Sequence, residues 1–338
     1  MTAPVCLIVN PSAGGGKAGR VLPDVRAALE GHGLRVHSEL TRDLEHAREL
    51  ALDAALAGET VVCLSGDGMV GAVADTLREV PDAILGVLPG GRGNDLARVL
   101  GIPTDPVQAC AIVAAGFSRM LDLGEVGAQA FVGIASVGFD SEANRIANEA
   151  PAWLGGLVYA YGALRALFSW RPARFEIELT QSDTRPEAHP EGHIQKAHGG
   201  QAGEPPWERH SFMAYTVGAC NSKTYGGGMR AAPDALLDDG LLDVVVLESI
   251  GKLKFLTRIL PKVFKGTHVL EPNVKVFRAR EMSVSADRPF TMYADGDPIG
   301  KLPVHVRAVP GAVRVLVPAD GAGADAFLGG PDAATTRA

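Results

Sequence analysis

Between Val61 and Thr76 the chain reads VVCLSGDGMVGAVADT. Val61–Ser65 is a short apolar run, the pattern of a buried strand. Val70, Val73, Ala74 and Leu77 then recur at i, i+3, i+4 and i+7, one face of a helix. Asp67 therefore stands between Gly66 and Gly68, at the carboxyl end of a strand and the start of a helix. Open α/β sheets bind ligands at such a place. The glycines let a ligand approach closely, and the free N–H groups of the helix start favour phosphate oxygens. A carboxylate repels phosphate, so its presence calls for a metal, a cationic group or a hydroxyl about to lose its proton. The plainer alternative is a turn in which Asp67 caps the helix.

The same grammar repeats around this stretch. Val5–Val9 is an apolar strand, followed by the loop NPSAGGGKAGR from Asn10 to Arg20 and a helix to about Gly31. Leu34–Leu40 is a second strand and Arg42–Ala57 a second helix. Ile84–Leu88 is a fourth strand, ending in PGGRGND, Pro89 to Asp95. A short helix follows and stops at Ile102-Pro103. Alternating strands and helices predict a parallel sheet covered on both faces. Strand ends in such a sheet share one edge, so the three glycine-bearing loops are expected to converge on one cleft. The first loop is not a Walker A motif, because Gly16-Lys17 is followed by Ala18 rather than Ser or Thr. A Rossmann dinucleotide fingerprint is also absent.

After about residue 123 short strand-like runs dominate: Ala130–Val137, Arg174–Thr180, Phe212–Ala219, Leu241–Leu247, Glu281–Ala286, Thr291–Ala294, Val304–Ala308 and Val313–Val317. Helical patterns at Asp140–Glu149 and Trp153–Phe168 interrupt them. The expected fold class is thus α/β plus all-β. Residues 1–123 form a doubly wound parallel sheet, and residues 124–302 an antiparallel β-sandwich. The polar segment 181–210 reads as a flexible insertion whose histidines lack metal-ligand spacing, and the Ala/Gly/Asp-rich 319–338 as a disordered tail.

With 338 residues and 46% hydrophobic content the chain can build two cores, and its net charge of −7 argues against a nucleic-acid partner. Cys6, Cys63, Cys110 and Cys220 are scattered, which fits neither a zinc finger nor a disulfide framework and points to a reducing cytoplasm. The chain enters a strand at once, with no apolar leader pattern. Gly251–Gly266 is basic and amphipathic. Leu253, Leu256, Ile259, Leu260, Val263 and Phe264 form one face, either a core face or a surface for anionic membrane. Two acidic clusters remain. Tyr225–Val244 joins three glycines to Asp234, Asp238, Asp239 and Asp243, a solvated hairpin or an oxygen cage for a divalent cation. Tyr293–Gly300 places Asp295 and Asp297 around Gly296, a hairpin signal.

Taken in order, Asn10-Pro11 with its glycines, Gly66-Asp67-Gly68, Pro89–Asp95, Gly226–Asp239 and Asp295-Gly296-Asp297 resemble the diacylglycerol kinase catalytic family, and within it the soluble bacterial lipid kinases related to sphingosine and ceramide kinases. The resemblance spans roughly Val5 to Val317. It implies a nucleotide-binding domain like that of NAD kinase and diacylglycerol kinase, a sandwich that takes the lipid, and final strands, about 303–318, that return to the first domain. It implies transfer of the ATP γ-phosphoryl to a lipid hydroxyl, most simply diacylglycerol, with Mg²⁺ as cofactor. By position, Asn10, Pro11, Ser12, Thr41, Ser65, Gly66, Asp67, Gly68, Gly91, Arg92, Gly93 and Asn94 match nucleotide contacts. Asp67, Asp295 and Asp297 match the catalytic acids, and Asp239 with the carbonyls of Leu236 and Leu241 a structural Mg²⁺ site. Met69, Arg92 and Asp297 stand where the family has Thr, Thr and Glu. The expected setting is cytoplasmic and peripheral at the inner membrane surface, with a homodimer left open. The competing readings are a kinase for a soluble acceptor, like NAD kinase, and a non-catalytic lipid or nucleotide sensor.

Overall fold

The computed structural model describes residues 4–148, 161–162, 165–167, 170–180, 195–196, 207–328 and 336–337. The first domain alternates as the hydrophobic periodicity predicts: β1 (Val5–Val9), α1 (Ala13–Gly31), β2 (Val36–Leu40), α2 (Leu44–Leu56), β3 (Thr60–Ser65), α3 (Asp67–Leu77), β4 (Ile84–Pro89), α4 (Asp95–Val99) and α5 (Pro106–Ala115). β1 pairs in parallel with β2 on one side and β3 on the other, and β3 pairs with β4, giving the order β2-β1-β3-β4. Right-handed crossovers from this order send α1 to one face and α2 and α3 to the other. Accordingly α2 packs on α3 and α1 on α5. The chain leaves β1 and β3 toward opposite faces, which opens a crevice between their carboxyl ends. β1, β3 and β4 are nearly continuous apolar runs because helices cover both faces, and Leu7, Ile8, Leu64 and Leu88 are wholly buried.

α1 begins inside what reads as a loop. Gly14, Gly15 and Gly16 all have positive φ, 59°, 69° and 84°, so the regular helix follows them. This left-handed run swings the chain around the β1 end before helix geometry resumes.

The second domain is built on β5 (Phe117–Val126), β6 (Gln129–Phe131), β7 (Ile134–Gly138), α6 (Phe139–Asn148), β8 (Ala173–Thr180), β9 (Gln195–Lys196), β10 (Trp207–Cys220), β11 (Leu242–Glu248), β12 (Val274–Ala279), β13 (Glu281–Ala286), β14 (Thr291–Ala294), β15 (Asp297–Lys301) and β16 (Val304–Leu316). β10 serves both layers. Its first half pairs with β8, which pairs with β13; its second half lies between β7 and β11. Phe175, Ile177, Val217, Val244 and Met282 fill the space between the layers. β16 closes the fold. Its start pairs with β13, and its end runs antiparallel to β5 and parallel to β4, so the last long strand returns to the first domain.

Several sequence expectations need correction. Val304–Ala308 and Val313–Val317 are not two strands: one strand crosses both, with its register shift between Val309 and Val313. Trp207–His210, assigned to the insertion, are strand paired with β8. Most of the helix expected at Trp153–Phe168, and most of 181–206, fall outside the described residues. The tail does not begin as a free end at 319. Ala326 and Phe327 are buried, the Leu237 N–H donates to the Ala326 carbonyl, and the Arg119 guanidinium stacks on the Phe327 ring at 4.0 Å. β17 (Thr336–Arg337) pairs with β5. Finally, the basic stretch contains a π-helical turn at Phe255–Ile259. That wider turn rotates the apolar stripe. Phe255 and Ile259 point inward, while Leu253 and Phe264, read on the same apolar face as Ile259, are 75% and 55% exposed.

Candidate active site

The glycine loops meet where the sheet order predicts. At the end of β1, the Asn10 N–H donates to the Leu64 carbonyl, and Asn10 Oδ1 accepts the Ser12 N–H at 3.0 Å. Pro11 and exposed Ser12 lead into the left-handed glycines. At the end of β3, buried Ser65 accepts the Gly90 N–H through its carbonyl, stitching the β3 and β4 loops together. The two loops then touch backbone to backbone: a Cβ on Gly91 would lie 2.4 Å from the Gly66 Cα. Asn94, in the left-handed region at φ 51°, accepts the Gly91 N–H at 2.8 Å and donates to its carbonyl at 3.1 Å. The loop is therefore folded before any ligand arrives.

Asp67 opens α3. Its Oδ1 accepts the Leu96 N–H at 3.2 Å, which ties α3 to the start of α4. Burial raises its carboxyl above the usual range, against the pull of the Leu96, Asp95 and Asn94 backbone N–H groups. A Cβ on Gly93 would stand 2.9 Å from Asp67 Oδ2 and 3.2 Å from Asp95 Oδ2, so both carboxylates converge beneath this glycine. Asp95 accepts the Gly227 N–H on Oδ2 at 2.9 Å, while its Oδ1 is buried with no hydrogen-bond partner among the described residues. Burial first, then the charge of Asp67, lifts the Asp95 carboxyl to about 6. Asp95 closes the PGGRGND motif without a role assigned from sequence; its one signal there is its position directly after Asn94, at the mouth of a helix.

Asp295 comes from the β14–β15 turn. Its two oxygens accept the N–H groups of Val132, Gly133 and Ile134 at 2.8–3.2 Å. Burial nonetheless holds its carboxyl at about 6, with the charge of Asp67 adding to the rise. Asp295 is thus spent on clamping the chain before β7. Asp297 lies exposed at the lip, with Oδ2 3.7 Å from where a Gly68 Cβ would be. Desolvation raises its carboxyl as well. Arg92 is exposed at the tip of its loop. Thr41 is buried at the end of β2, and its hydroxyl points at the Met69 sulfur, 4.0 Å away. Met69 itself is buried, so this position packs the loop from below.

Leu236, Asp239 and Leu241 lie apart from this cluster. Asp239 accepts the Leu241 N–H on Oδ1 and pairs through Oδ2 with the Arg278 guanidinium. With one oxygen on an amide and the other on a cationic side chain, the segment already holds its own positive charge and does not fit a Mg²⁺ ion as it stands. The unpartnered Asp95 Oδ1 beside Asp67 does fit a cation bound together with phosphate oxygens.

From Asp67, Asp95 and Asp295 a cavity runs into the second domain between β7, β10 and β11 and the segment Lys252–Val263. Its deep wall is apolar, with Phe139, Val245, Leu247, Phe255, Ile259 and Val274. Among the described residues no helix is long and apolar enough to cross a membrane.

Comparison with known proteins agrees with this layout. Residues 4–126 match the model of the diacylglycerol kinase catalytic domain, and residues 133–317 that of the YegS C-terminal NAD kinase beta sandwich-like domain. A diacylglycerol kinase of Mycobacterium tuberculosis is 32% identical over 326 residues, covering 94% of this chain and 96% of its own. A probable lipid kinase YegS-like protein of Stenotrophomonas maltophilia is 30% identical over 328 residues, covering 93% and 96%. A crystal structure of a diacylglycerol kinase from Bacillus anthracis superposes with a TM-score of 0.67 at 19% identity, covering 94% of this chain and 97% of that one, a likeness of fold. With both halves matched and a relative above 30% identity along nearly the whole length, the chain belongs to the diacylglycerol kinase family of bacterial lipid kinases, the branch that carries a YegS-type C-terminal sandwich.

Proposed function

We propose that this chain transfers the γ-phosphoryl group of ATP to the hydroxyl of a lipid, diacylglycerol or a relative, in the cleft between its two domains. The observation that carries this reading is the cavity itself: three acidic side chains at one end, an apolar wall at the other. A soluble acceptor such as a dinucleotide gains nothing from Phe139, Leu247, Phe255 and Ile259, whereas an acyl chain does.

In the proposed mechanism the ATP phosphates lie along the N–H groups of the loops at Asn10–Ser12, Gly66–Gly68 and Gly91–Asn94. Exposed Arg92 reaches over them and offsets their charge. Mg²⁺, when bound, neutralises charge on the β- and γ-phosphates, and the residues that would hold it are Asp67 and Asp95. The lipid lies with its apolar part in the cavity and its hydroxyl at the mouth. Asp297 or Asp67 takes the hydroxyl proton as the oxygen attacks the γ-phosphorus. The bond to the β-phosphate oxygen breaks, leaving a lipid phosphate and ADP. Asp295 positions the turn that carries Asp297.

The segment Lys252–Val263 also supports contact with a membrane. Its inner side contributes Phe255 and Ile259 to the cavity, while Leu253, Phe264 and nearby Leu270 are 75%, 55% and 74% exposed beside Lys252, Lys254 and Lys265. Apolar side chains among lysines fit an anionic bilayer from which the substrate is drawn.

The test is transfer of labelled γ-phosphate in mixed micelles containing diacylglycerol, sphingosine, ceramide or glycerophospholipid, with NAD as a soluble acceptor and Asp67→Asn in parallel. Labelled lipid that disappears in the variant is expected. Label appearing only on NAD, or ATP binding without any labelled product, overturns the reading.

A further inference from the structure

At the opposite, amino-terminal edge of the parallel sheet, three side chains of metal-ligating type meet. Cys6 is the second residue of β1. The parallel register sets it opposite His37 on β2 and opposite Val61 on β3. Glu59 lies two residues before Val61, hence on the same face of the sheet. The Cys6 sulfur, a His37 ring nitrogen and a Glu59 carboxylate oxygen all fall within 4.8 Å of one another. His37 Nε2 is 3.6 Å from Glu59 Oε2. Among the described residues no other group of three or more such side chains comes this close.

The distances suit one ion. Zinc bonds of about 2.0–2.3 Å at tetrahedral angles set neighbouring donor atoms about 3.3–3.6 Å apart, close to the His37–Glu59 separation and within a small adjustment of the rest. Access is graded. Cys6 is buried, Glu59 half-buried and His37 exposed, so an ion can enter past the imidazole and finish against the sulfur. The one carboxylate of the group, Glu59, brings negative charge beside the Cys6 sulfur. Water is the available fourth donor.

We propose that Cys6, His37 and Glu59 bind a zinc ion that fastens the edge strand β2 and the start of β3 to β1. A thiolate, an imidazole and a carboxylate together match a borderline-soft divalent ion, whereas Mg²⁺ and Ca²⁺ take oxygen ligands. On binding, the Cys6 S–H releases its proton to solvent and the sulfur lone pair bonds the metal, with no change of oxidation state. The role is structural. The ion sits at the strand starts, whereas the phosphate loops leave from the strand ends, and β2 has no described neighbour other than β1.

The experiment uses the full chain. Wild type, His37→Ala and Cys6→Ala are incubated with zinc, desalted and assayed for metal by mass spectrometry. Cobalt is then substituted and its absorption spectrum recorded, and thermal unfolding is followed with and without zinc. A single zinc per wild-type chain is expected, together with a thiolate-to-cobalt charge-transfer band and a zinc-dependent rise in Tm. Each variant should weaken zinc by at least about a hundredfold, the scale of one donor in a structural site, and Cys6→Ala should lose the band. His37 is exposed, so its replacement stays informative even where Cys6→Ala perturbs folding. Wild type that retains no zinc overturns the proposal. Zinc retained equally by His37→Ala overturns it too, because the metal is then held elsewhere, for example by the histidines of residues 181–206.

Discussion

Asp95 accepts the Gly227 N–H at 2.9 Å, so one carboxylate joins the glycine loop after β4 to the Tyr225–Met229 turn of the other domain. Its second oxygen is the buried, unpartnered one. With the carboxyl raised to about 6, Asp95 is charged above that pH and neutral below it, and only the charged form attracts a divalent cation. Mg²⁺ affinity in the ATP complex, measured by calorimetry, is therefore expected to fall as pH drops through about 6. Asp95→Asn should flatten that dependence beyond what ATP alone shows. Folding carries the opposite sign. A carboxyl raised on folding favours the folded state least once it is ionised, so Asp95→Asn should gain up to about 3 kcal/mol in urea unfolding at neutral pH while losing turnover. A variant that is both less stable and unchanged toward Mg²⁺ would mark Asp95 as a simple loop tie.

The contact between Gly66 and Gly91 sets a steric limit on the phosphate loops. A methyl on Gly91 would need to occupy space 2.4 Å from the Gly66 Cα, and backbone cannot move aside as a side chain can. Gly91→Ala should therefore push the β3 and β4 loops apart and raise the ATP Kd at least about tenfold, the equivalent of roughly 1.4 kcal/mol. Gly31→Ala, where a methyl meets nothing within 4 Å, is the control and should leave ATP affinity unchanged. Equal affinities for the two variants would show that the loops do not hold the nucleotide.

Three aspartates at the mouth should separate by what each loss disturbs. Asp295 receives three backbone N–H groups, and an amide in its place turns an NH₂ toward donors. Asp295→Asn is expected to cost about 1–3 kcal/mol of stability, with lower activity as a consequence. Asp297 is exposed, and among the described residues no hydrogen bond reaches its side chain, so Asp297→Asn should keep its Tm and lose turnover at least about tenfold if it takes the proton. Asp67→Asn should lose at least about a hundredfold. Full activity in Asp297→Asn would leave Asp67 as the proton acceptor.

These assignments show which parts of the site a sequence can carry. Gly66-Asp67-Gly68 and Pro89–Asp95 were legible because strand periodicity fixes where each loop leaves the sheet, and parallel strands put their ends on one edge. The division of labour between Asp295 and Asp297 was not. It depends on the N–H groups of Val132–Ile134, some 160 residues away in sequence, which reach only one of the two. The same holds for Arg278, which meets Asp239 only because β12 pairs with β11. The apolar stripe of the basic segment was misplaced for a local reason, since a π turn at Phe255–Ile259 breaks the period on which the reading relied. Val304–Leu316 was split at Pro310-Gly311 because a bulge and a turn use the same residues.

The end of the chain provides the sharpest contrast. Residues 319–338 are rich in Ala, Gly and Asp, a composition that argues against a packed element. Yet Phe327 is 3% exposed under the Arg119 guanidinium, Arg119 also pairs with Asp238 at 3.2 Å, and Lys223 holds Asp325 at 2.6 Å. One aromatic side chain is enough to anchor a weakly apolar segment when it fills a slot that the core leaves open. Phe327→Ala should therefore cost about 3–5 kcal/mol, the range for deleting a buried phenyl ring, and lower the urea midpoint without changing the m-value. Because Leu237 donates to the Ala326 carbonyl, the same variant should speed amide exchange along Leu236–Leu241. Stability and exchange both unchanged in Phe327→Ala would return the tail to the disordered state its composition predicts.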